Sequence, residues 1–385
     1  MSIFQIYKIT NLQELEPHSQ AWNDLALKAA TQHPCSSYSW VTAYLKAKCE
    51  DGEEWIVLLA FEKEELIGVL PLLVRFRRFL FLQTAFLRTP SDAHTFSVDF
   101  LAAYGKEQLV LQDFVTYLNQ WHSRIIKLEF SRMLPLSNAV NMSISNISGL
   151  SRVFYTVGFV SIVRPRNTFD DFYSKLSEKL RRNLKSIQLQ LSNLHGFEIT
   201  IIKSEFSGHE DFKRFLDLEL LGWKGQRGSA IASKKEFFDF FSGLTENLAR
   251  GNFLELYFLT IEGKTIAAYM NVNFGKKCYL LKTTYDEDYK KYSPGQLILY
   301  FIFKDKITKG SFEEISFMSD YEWQNRWNVE KDTYRDVSFY FGNIYSQVLG
   351  RFPGTILSRS AFLRKISRGV KRRLIKLLRI LKLST

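Results

Sequence analysis

A polar loop between an apolar strand and an apolar helix carries the residues of this sequence that are best suited to bind phosphate. Residues 277–309 read KKCYLLKTTYDEDYKKYSPGQLILYFIFKDKIT, with Lys290, Ser293, Pro294 and Gly295 in the loop. Where a strand, a glycine loop and a helix start meet, backbone N–H groups and the positive end of the helix dipole converge on one anion. The pattern therefore predicts a phosphate or pyrophosphate site. The simpler alternative is a capped strand-to-helix connection that binds no ligand.

Composition limits the classes of protein to be considered. The 385 residues give room for about two domains. The net charge is +12, but the segment from Arg351 to the end holds eleven Lys or Arg and no acid. Subtracting these eleven charges leaves +1 for the first 350 residues. A near-neutral body gives no support for nucleic-acid binding, so we expect no DNA partner.

Cysteine and histidine usage argues against metal and disulfide chemistry. Cys35, Cys49 and Cys278 are scattered, and the histidines show no ligand-type spacing. We expect a reducing compartment, no disulfide framework and no metal site. The N-terminus lacks a basic segment followed by an apolar one, and no apolar run approaches the roughly 18 residues of a membrane span. We therefore expect a cytoplasmic protein.

The second half of the chain has a distinctive order of apolar patterns. A basic helix over residues 169–194, capped by Gly196, precedes the order β-α-α-β-β-β-α-β-(α)-β. A meander of three strands leads directly into the phosphate-type loop, and such an order implies a mixed α/β sheet. The strands are expected at 197–203, 253–261, 264–274, 277–283, 313–318 and 333–342, and the paired helices at 209–223 and 234–251.

The first half repeats this order more weakly. A hairpin around Lys63-Glu64, a strand over 79–87, a helix over 106–121 and a strand over 125–130 follow two helix patterns. We predict duplicated units, 1–164 and 165–345, followed by a tail, 346–385. The segment of the first copy that matches the phosphate-type loop is acidic and rich in hydroxyl groups, so we expect the first copy to bind no phosphate.

The second half resembles the Gcn5-related N-acetyltransferase (GNAT) fold, whose pyrophosphate loop has the pattern Q/R-x-x-G-x-G/A. Lys290, Ser293 and Gly295 occupy its three key positions, with Lys for Arg and Ser for Gly. GWKGQRGSAI (222–231) and its spacing to YDEDYKKYSPGQL (285–297) look like the bacterial CelD-type, BioF-like acetyltransferases, which are associated with cellulose biosynthesis and related to the FemAB peptidyltransferases. The fold class implied is α/β, two tandem acyl-CoA N-acyltransferase folds plus a C-terminal amphipathic helix.

This resemblance implies an acyltransferase that uses acetyl-CoA or another acyl-CoA as co-substrate. The acceptor would be an amine or hydroxyl of a small molecule or saccharide, on a cell-envelope or polysaccharide precursor. Two alternatives stay open, a FemAB-like aminoacyl transferase and a non-catalytic, membrane-docked module of a polysaccharide synthesis complex. The residues implied to bind the cofactor are Leu281, Lys282, Thr283, Lys290, Ser293, Gly295 and Gln296.

Acyl transfer also needs a proton acceptor for the nucleophile and a proton donor for the departing thiolate. Asp320, after a strand, is the first candidate for the base, and Asp286 is the second. Tyr321 and Tyr285 are candidates for the acid. The alternatives are that the carboxylates cap turns and that the tyrosines pack at a sheet edge.

Four further residues are candidates for the acceptor side. Trp223 and Lys224 begin a glycine-rich segment between two helices, which suits a mobile lid. Asp92 and His94 could line an acceptor cleft between the copies, or belong to a hydrogen-bonded loop. Trp323 and Trp327 are interpreted as core residues on one helix face.

Two basic segments have a surface and a ligand interpretation each. Lys179, Arg181, Arg182 and Lys185 form either a solvated helix face or a patch for the 3′-phosphate of CoA or an anionic acceptor. Residues 358–385 have apolar positions at 3/4 spacing opposite basic ones. This tail is interpreted as a helix on an anionic membrane surface, at the inner face of the membrane, or as a helix docked on the protein body.

Overall fold

A computed structural model describes residues 3–49, 53–79, 82–145, 147–192, 198–203 and 209–347. The strands in this part of the chain are β1 (Gln5–Ile9), β2 (Glu54–Glu62), β3 (Glu65–Phe79), β4 (Leu82–Arg88), β5 (Leu101–Ala102), β6 (Ile125–Met133), β7 (Leu150–Val163), β8 (Glu198–Lys203), β9 (Leu254–Ile261), β10 (Lys264–Phe274), β11 (Lys277–Tyr285), β12 (Glu314–Ser316) and β13 (Glu330–Phe341).

The helices cover both faces of the strands. They are α1 (Leu12–Leu15), α2 (Ser19–Lys28), α3 (Tyr38–Lys48), α4 (Glu107–Trp121), α5 (Asn138–Ile144), α6 (Phe169–Ser174), α7 (Glu178–Ser192), α8 (His209–Leu221), α9 (Trp223–Gln226), α10 (Lys235–Arg250), α11 (Pro294–Lys309) and α12 (Ile344–Ser346). Short 3₁₀ helices include Glu287–Tyr292 and Glu322–Trp327. Within the described ranges, every helix is too short or too polar to span a bilayer.

All strands belong to one mixed sheet with an internal repeat. Its order is β1-β2-β3-β4-β6-β13-β7-β12-β11-β10-β9-β8, and β5 pairs with β3. Read from the two edges inwards, β1 to β4 and β6 correspond to β8 to β12. In both halves the fourth and fifth strands pair in parallel, β4 with β6 and β11 with β12, while their other neighbours are antiparallel. The mixed α/β class and the repeated order of elements are confirmed.

The two copies exchange their last strands. β7, which follows the first copy, pairs with β12 of the second, and β13 of the second copy pairs with β6 of the first. β7 and β13 also pair with each other along their whole length, from Glu330 opposite Ile162 to Phe341 opposite Leu150. Each copy therefore completes the sheet of the other. The division at residue 164 stays a prediction, because the strand before it lies in the sheet of the second copy.

Helices from both copies share a core on one face of the sheet. Trp40 of α3 and Phe240 of α10 are fully buried and contact each other, with ring centroids 6.2 Å apart. Asn247 of α10 donates a hydrogen bond to the Ser39 carbonyl of α3 at 3.0 Å. On the other face, α7 and α11 pack over the second copy, where Leu180, Leu184 and Leu297 are buried together.

Two helix predictions need correction. The one helix predicted over 169–194 is two helices within the described residues 169–192, because the Ser177 hydroxyl accepts the Leu180 N–H at 3.3 Å and starts a new helix. The segment predicted as a mobile glycine-rich loop contains the short helix α9. Backbone hydrogen bonds hold this segment together. The predicted cap at Gly196 and the amphipathic tail helix at 358–385 lie outside the described residues.

Candidate functional site

A gap in the sheet opens beside β11. β11 and β12 pair only from Lys277 to Tyr279, and β12 ends at Ser316. The described residues 280–285 of β11 therefore have no partner on β12. A bulge lies at the start of this stretch, since Met270 is opposite Lys282 while Asn271 is opposite Leu280, which leaves Leu281 as the extra residue. Alternate N–H groups along this edge can receive a ligand.

The helix α11 begins at the end of this gap with a left-handed residue. Ser293 has φ 45° and ψ 52°, and Pro294 takes the first helical position. The N–H groups of Gln296 and Leu297 both donate to the Ser293 carbonyl, at 2.9 and 3.2 Å. No acceptor for the Gly295 N–H is found among the described residues, so this amide is the one at the helix start that is open to a ligand.

A cavity of about 430 Å³ lies between the gap and the helix start. Thr283, Lys290, Ser293, Gly295 and Gln296 line it, whereas Leu281 and Lys282 lie further along the same strand outside its lining. The side-chain oxygen of Gln296 is buried and has no hydrogen-bond partner. Since a buried acceptor without a partner is costly, its presence in a cavity wall favours a ligand with a donor group.

Part of the cavity wall comes from a segment whose two tryptophans, Trp323 and Trp327, were expected in the core. Trp323, Arg326 and Trp327 of the second 3₁₀ helix line the cavity. Trp327 is buried, but Trp323 is 41% exposed. The i, i+4 spacing of the tryptophans was interpreted on an α-helix, and the 3₁₀ geometry changes which side chains share a face. The Arg between two Trp residues was the signal that could have indicated a binding wall.

A second groove, of about 630 Å³, continues from the cavity along α7. It shares Ser293, Gln296 and Arg326 with the cavity, and α7 contributes Lys179 and Arg182. Of the basic residues predicted on this helix, Arg181 instead donates to the Leu176 carbonyl at 3.2 Å. The helix therefore presents only part of its positive charge to the groove.

His94 of the first copy reaches Lys282 of the second. The Lys282 Nζ lies 3.4 Å from the His94 Nδ1 and 4.9 Å from the centre of the Phe241 ring. Burial, helped by the charge of Lys224, lowers the pKa of Lys282 to about 8. Burial and the charge of Lys282 lower the pKa of His94 to about 3, so this imidazole is neutral at pH 7. This contact joins His94, which was expected on the acceptor side, to Lys282, the residue of β11 that follows the bulge.

Asp92 holds the loop that carries His94. Its Oδ1 accepts the N–H groups of His94 and Thr95, both at 2.7 Å. Its Oδ2 pairs with the buried Lys48 amine at 2.5 Å. Burial alone would raise the pKa of Asp92, but Lys48 and the two N–H donors outweigh it and lower that pKa. Asp92 therefore positions the loop, which is the second of the two roles considered for it.

Lys224 is a fixed part of the cavity wall. Its Nζ donates to the Glu219 carboxylate at 2.8 Å and to the Thr283 carbonyl of β11 at 2.7 Å. The other Glu219 oxygen accepts the Ile231 N–H at 2.7 Å. The expected mobile lid is thus a short helix, beginning at Trp223, whose following turn is tied to a buried carboxylate.

The four acid and base candidates occupy different positions. Tyr285 lines the cavity, and burial together with Glu287 raises its pKa. Asp286 caps the 3₁₀ helix that follows and pairs with Lys264 at 2.8 Å. Asp320 pairs with Lys331 and accepts from Ser161, and the exposed Tyr321 caps the second 3₁₀ helix. Asp286, Asp320 and Tyr321 are absent from the cavity lining, so only Tyr285 is in a position to meet a ligand there.

The corresponding region of the first copy is closed. β4 stays paired to β6 up to Arg88, and the Thr89 N–H still donates to the Glu129 carbonyl. The chain then packs inwards, with Phe96, Val98 and Phe100 buried. Among the described residues no helix follows β4 before β5, so this copy lacks the open edge and the helix start of the second.

Comparisons with known proteins agree with this geometry. Residues 178–325 match a family described as an acetyltransferase (GNAT) domain. The chain has a GNAT-type fold. The solved structure of FemX has a TM-score of 0.59 at 10% identity and covers 90% of this chain and 100% of its own. A conserved protein of unknown function from Bacteroides thetaiotaomicron has a TM-score of 0.51 at 11% identity, covering 88% and 100%. No curated protein matches the sequence.

These identities are low enough that the two solved structures show the fold alone. Both extend over both copies of the repeat, which agrees with the tandem arrangement found in the sheet. Within the described ranges no group of three or more His, Cys, Asp or Glu could hold a metal ion. The CelD-type resemblance stays a prediction.

Replacing Ser293 by glycine should stabilise the protein. A left-handed residue with a side chain costs roughly 1–2 kcal/mol, and the extra backbone entropy of glycine offsets roughly 0.5–1 kcal/mol of that. We expect Ser293→Gly to raise the free energy of unfolding by about 0.5 kcal/mol, measured by urea titration. In the matched control, Ser186→Gly within α7, the sign should be reversed. A loss of stability in Ser293→Gly would contradict the strain at this position.

Replacing Lys282 by methionine should stabilise the protein at neutral pH. Because the pKa of Lys282 is lowered in the folded state, charging this amine opposes folding, and wild-type stability rises as the pH goes from about 8 towards the ordinary value of 10.5. We expect Lys282→Met to be more stable than the wild type by on the order of 1–3 kcal/mol at pH 7, with the difference shrinking by pH 10. Urea titrations at pH 7, 8.5 and 10 measure this.

The control for this pH dependence is Lys290→Met, since Lys290 is a lysine with a 76% exposed side chain. Its effect on the free energy of unfolding should be small at all three pH values. If Lys282→Met changes the free energy of unfolding by the same amount at pH 7 and pH 10, its effect comes from packing and not from charge.

Proposed function

We propose that this protein transfers an acyl group from an acyl-CoA, acetyl-CoA first, to an amine or a hydroxyl. The observation that carries the proposal is the unpaired edge of β11, next to a bulge, leading into a cavity at a helix start with an open Gly295 amide. An extended pantetheine arm can pair with a free strand edge, and a diphosphate suits a helix start.

The residues around the cavity fit such a carrier. Lys290 and Arg326 supply positive charge to the cavity lining, and the unpartnered Gln296 oxygen can accept a hydrogen bond from an amide of the arm. The residues that would hold the diphosphate are Ser293 and Gly295, with Thr283 beside the arm. When bound, the thioester supplies an activated carbonyl carbon.

The chemical steps can be assigned to residues on both sides of β11. Backbone N–H groups near Leu281 stabilise negative charge on the carbonyl oxygen. The Lys282 amine, whose lowered pKa of about 8 makes its uncharged form more populated than in an ordinary lysine, accepts the proton of the attacking amine or hydroxyl as the new C–N or C–O bond forms. Tyr285, which the raised pKa keeps protonated, donates its proton to the sulfur as the C–S bond breaks. Asp320 and Asp286 take no part in these steps. Asp320 forms an ion pair with Lys331, and Asp286 forms one with Lys264 and caps a 3₁₀ helix.

The neutral imidazole of His94 accepts from the charged Lys282 amine after this transfer. In this proposal the first copy contributes a positioning residue rather than a second carrier site. The acceptor approaches from the side of His94, between the copies. An envelope or polysaccharide precursor is the acceptor class that the CelD-type resemblance suggests.

Aminoacyl transfer is the second candidate. The sequence resemblance to a family related to the FemAB peptidyltransferases suggests this activity, in which the acyl group is an amino acid, and the fold shared with FemX over both copies is compatible with it. The charge argues for CoA instead, since the first 350 residues carry only +1 and would have to bind a nucleic-acid carrier.

Acetyl-CoA should raise the melting temperature of the full chain. A ligand at a hundredfold excess over its dissociation constant adds about 2.7 kcal/mol to the stability of the folded state, which corresponds to roughly 3–6 °C here. Scanning calorimetry with acetyl-CoA and with longer acyl-CoA measures this. If no acyl-CoA shifts the melting temperature while an aminoacyl-tRNA does, the second candidate replaces the first.

Replacing Gly295 by alanine should weaken acetyl-CoA binding without harming the fold. A Cβ at Gly295 would meet only the Tyr285 ring, at 3.5 Å, which is an ordinary contact. The methyl group would instead occupy the space where a phosphate approaches the open amide. We expect the dissociation constant to rise by about tenfold or more, measured by calorimetry, with an unchanged melting temperature in the absence of ligand.

Gly243→Ala is the matched control. The added Cβ would lie 4.0 Å from Ala43, so this change is also tolerated, but it lies on α10 away from the cavity. Its acetyl-CoA affinity should equal that of the wild type. If Gly295→Ala binds acetyl-CoA as tightly as the wild type does, the helix start is not part of the carrier site.

A further inference from the structure

The groove along α7 is positively charged over the residues that the structure describes. Its lining contains three cations, Lys179, Arg182 and Arg326, and no acidic side chain. Arg182 has one nearby carboxylate, Glu178 on the same exposed helix face at 3.6 Å, a geometry that contributes little to stability. A groove lined in this way is suited to an anion rather than to a neutral ligand.

The side chains that face the groove are carried by a helix fixed to the core. Leu180, Leu184 and Ile187 of α7 are buried against the layer that contains α11. Lys179 and Arg182 are three residues apart and therefore share a face of this helix. The helix lies directly before β8, the first strand of the second copy.

The groove also continues from the cavity that the proposed function assigns to the carrier. Ser293, Gln296 and Arg326 line both. A carrier whose diphosphate lies at Ser293 and whose arm runs along β11 must place its nucleoside end on the other side of the diphosphate. The groove is the described space next to the diphosphate position on the side of α7.

We propose, resting on the proposed function, that this groove binds the ribose 3′-phosphate of CoA through Lys179, Arg182 and Arg326. Such a phosphate is a dianion at neutral pH, and charge-assisted hydrogen bonds from Arg and Lys suit it. The α7 helix would thereby distinguish CoA from carriers that have the same arm and diphosphate but no ribose phosphate. Its role is specificity for the carrier and not catalysis.

Dephospho-CoA, which lacks only the 3′-phosphate, tests this inference. The wild-type full chain should bind CoA about tenfold or more tightly than dephospho-CoA by titration calorimetry at 0.1 M salt. In the double variant Lys179→Gln/Arg182→Gln this ratio should fall towards one, with the affinity for dephospho-CoA unchanged. Higher salt should reduce the wild-type ratio, because exposed charges are screened.

Lys185→Gln is the matched control. Lys185 is an exposed lysine of the same helix that does not line the groove, so the ratio should stay at its wild-type value. Melting temperatures of all variants check that each is folded. A double variant that keeps the full ratio, or a wild type that binds the two ligands equally, overturns the groove assignment and leaves the carrier site intact. A wild type that binds neither ligand overturns the proposed function as well.

Discussion

The pairing of β7 with β13 is the constraint on which the rest of the structure depends. These strands are the last of each copy, and each lies next to the fifth strand of the other copy. The exchange fixes the copies relative to each other, so that the loop after β4 reaches β11. His94 and Lys282, 188 residues apart, meet for this reason. A site built from both copies needs this rigid seam, since sites on fixed elements are held more precisely than sites on loops.

The same sheet gives the two copies different roles. Both have a parallel pair of fourth and fifth strands, but only in the second does the pair separate, beyond Tyr279. In the first copy the pairing continues to Thr89, and the following segment is packed into the core, with Phe96, Val98 and Phe100 buried. Duplication has thus kept one open strand edge and converted the other into a packed loop. The packed loop is useful because it carries His94 towards the open copy.

Local signals predicted most of the elements, whereas contacts between distant residues were out of reach. The three strands of the predicted meander are joined by short turns at Glu262-Gly263 and Gly275-Lys276, and such turns are recognisable from local residue types. The loop residues Ser293 and Gly295 were predicted as part of a ligand site because a helix start has a recognisable pattern. No local pattern encodes the strand exchange, which depends on pairing across the whole chain. Trp323 and Arg326 were missed because their helix is 3₁₀, a type that the 3/4 spacing does not identify.

Ser293 shows how the fold and the site oppose each other. A serine at φ 45° is strained, and the helix that it starts would form as well from a glycine. The Ser293 carbonyl accepts the N–H groups of both Gln296 and Leu297, whereas the Gly295 amide is one of the donors that a helix start leaves without an intrahelical acceptor. Lys282 also lowers the stability of the fold. Burying its amine costs free energy, and the contact with the Phe241 ring does not offset that cost. Both costs are concentrated along one strand and the helix after it, where strained and buried polar groups are expected to serve a ligand rather than the fold.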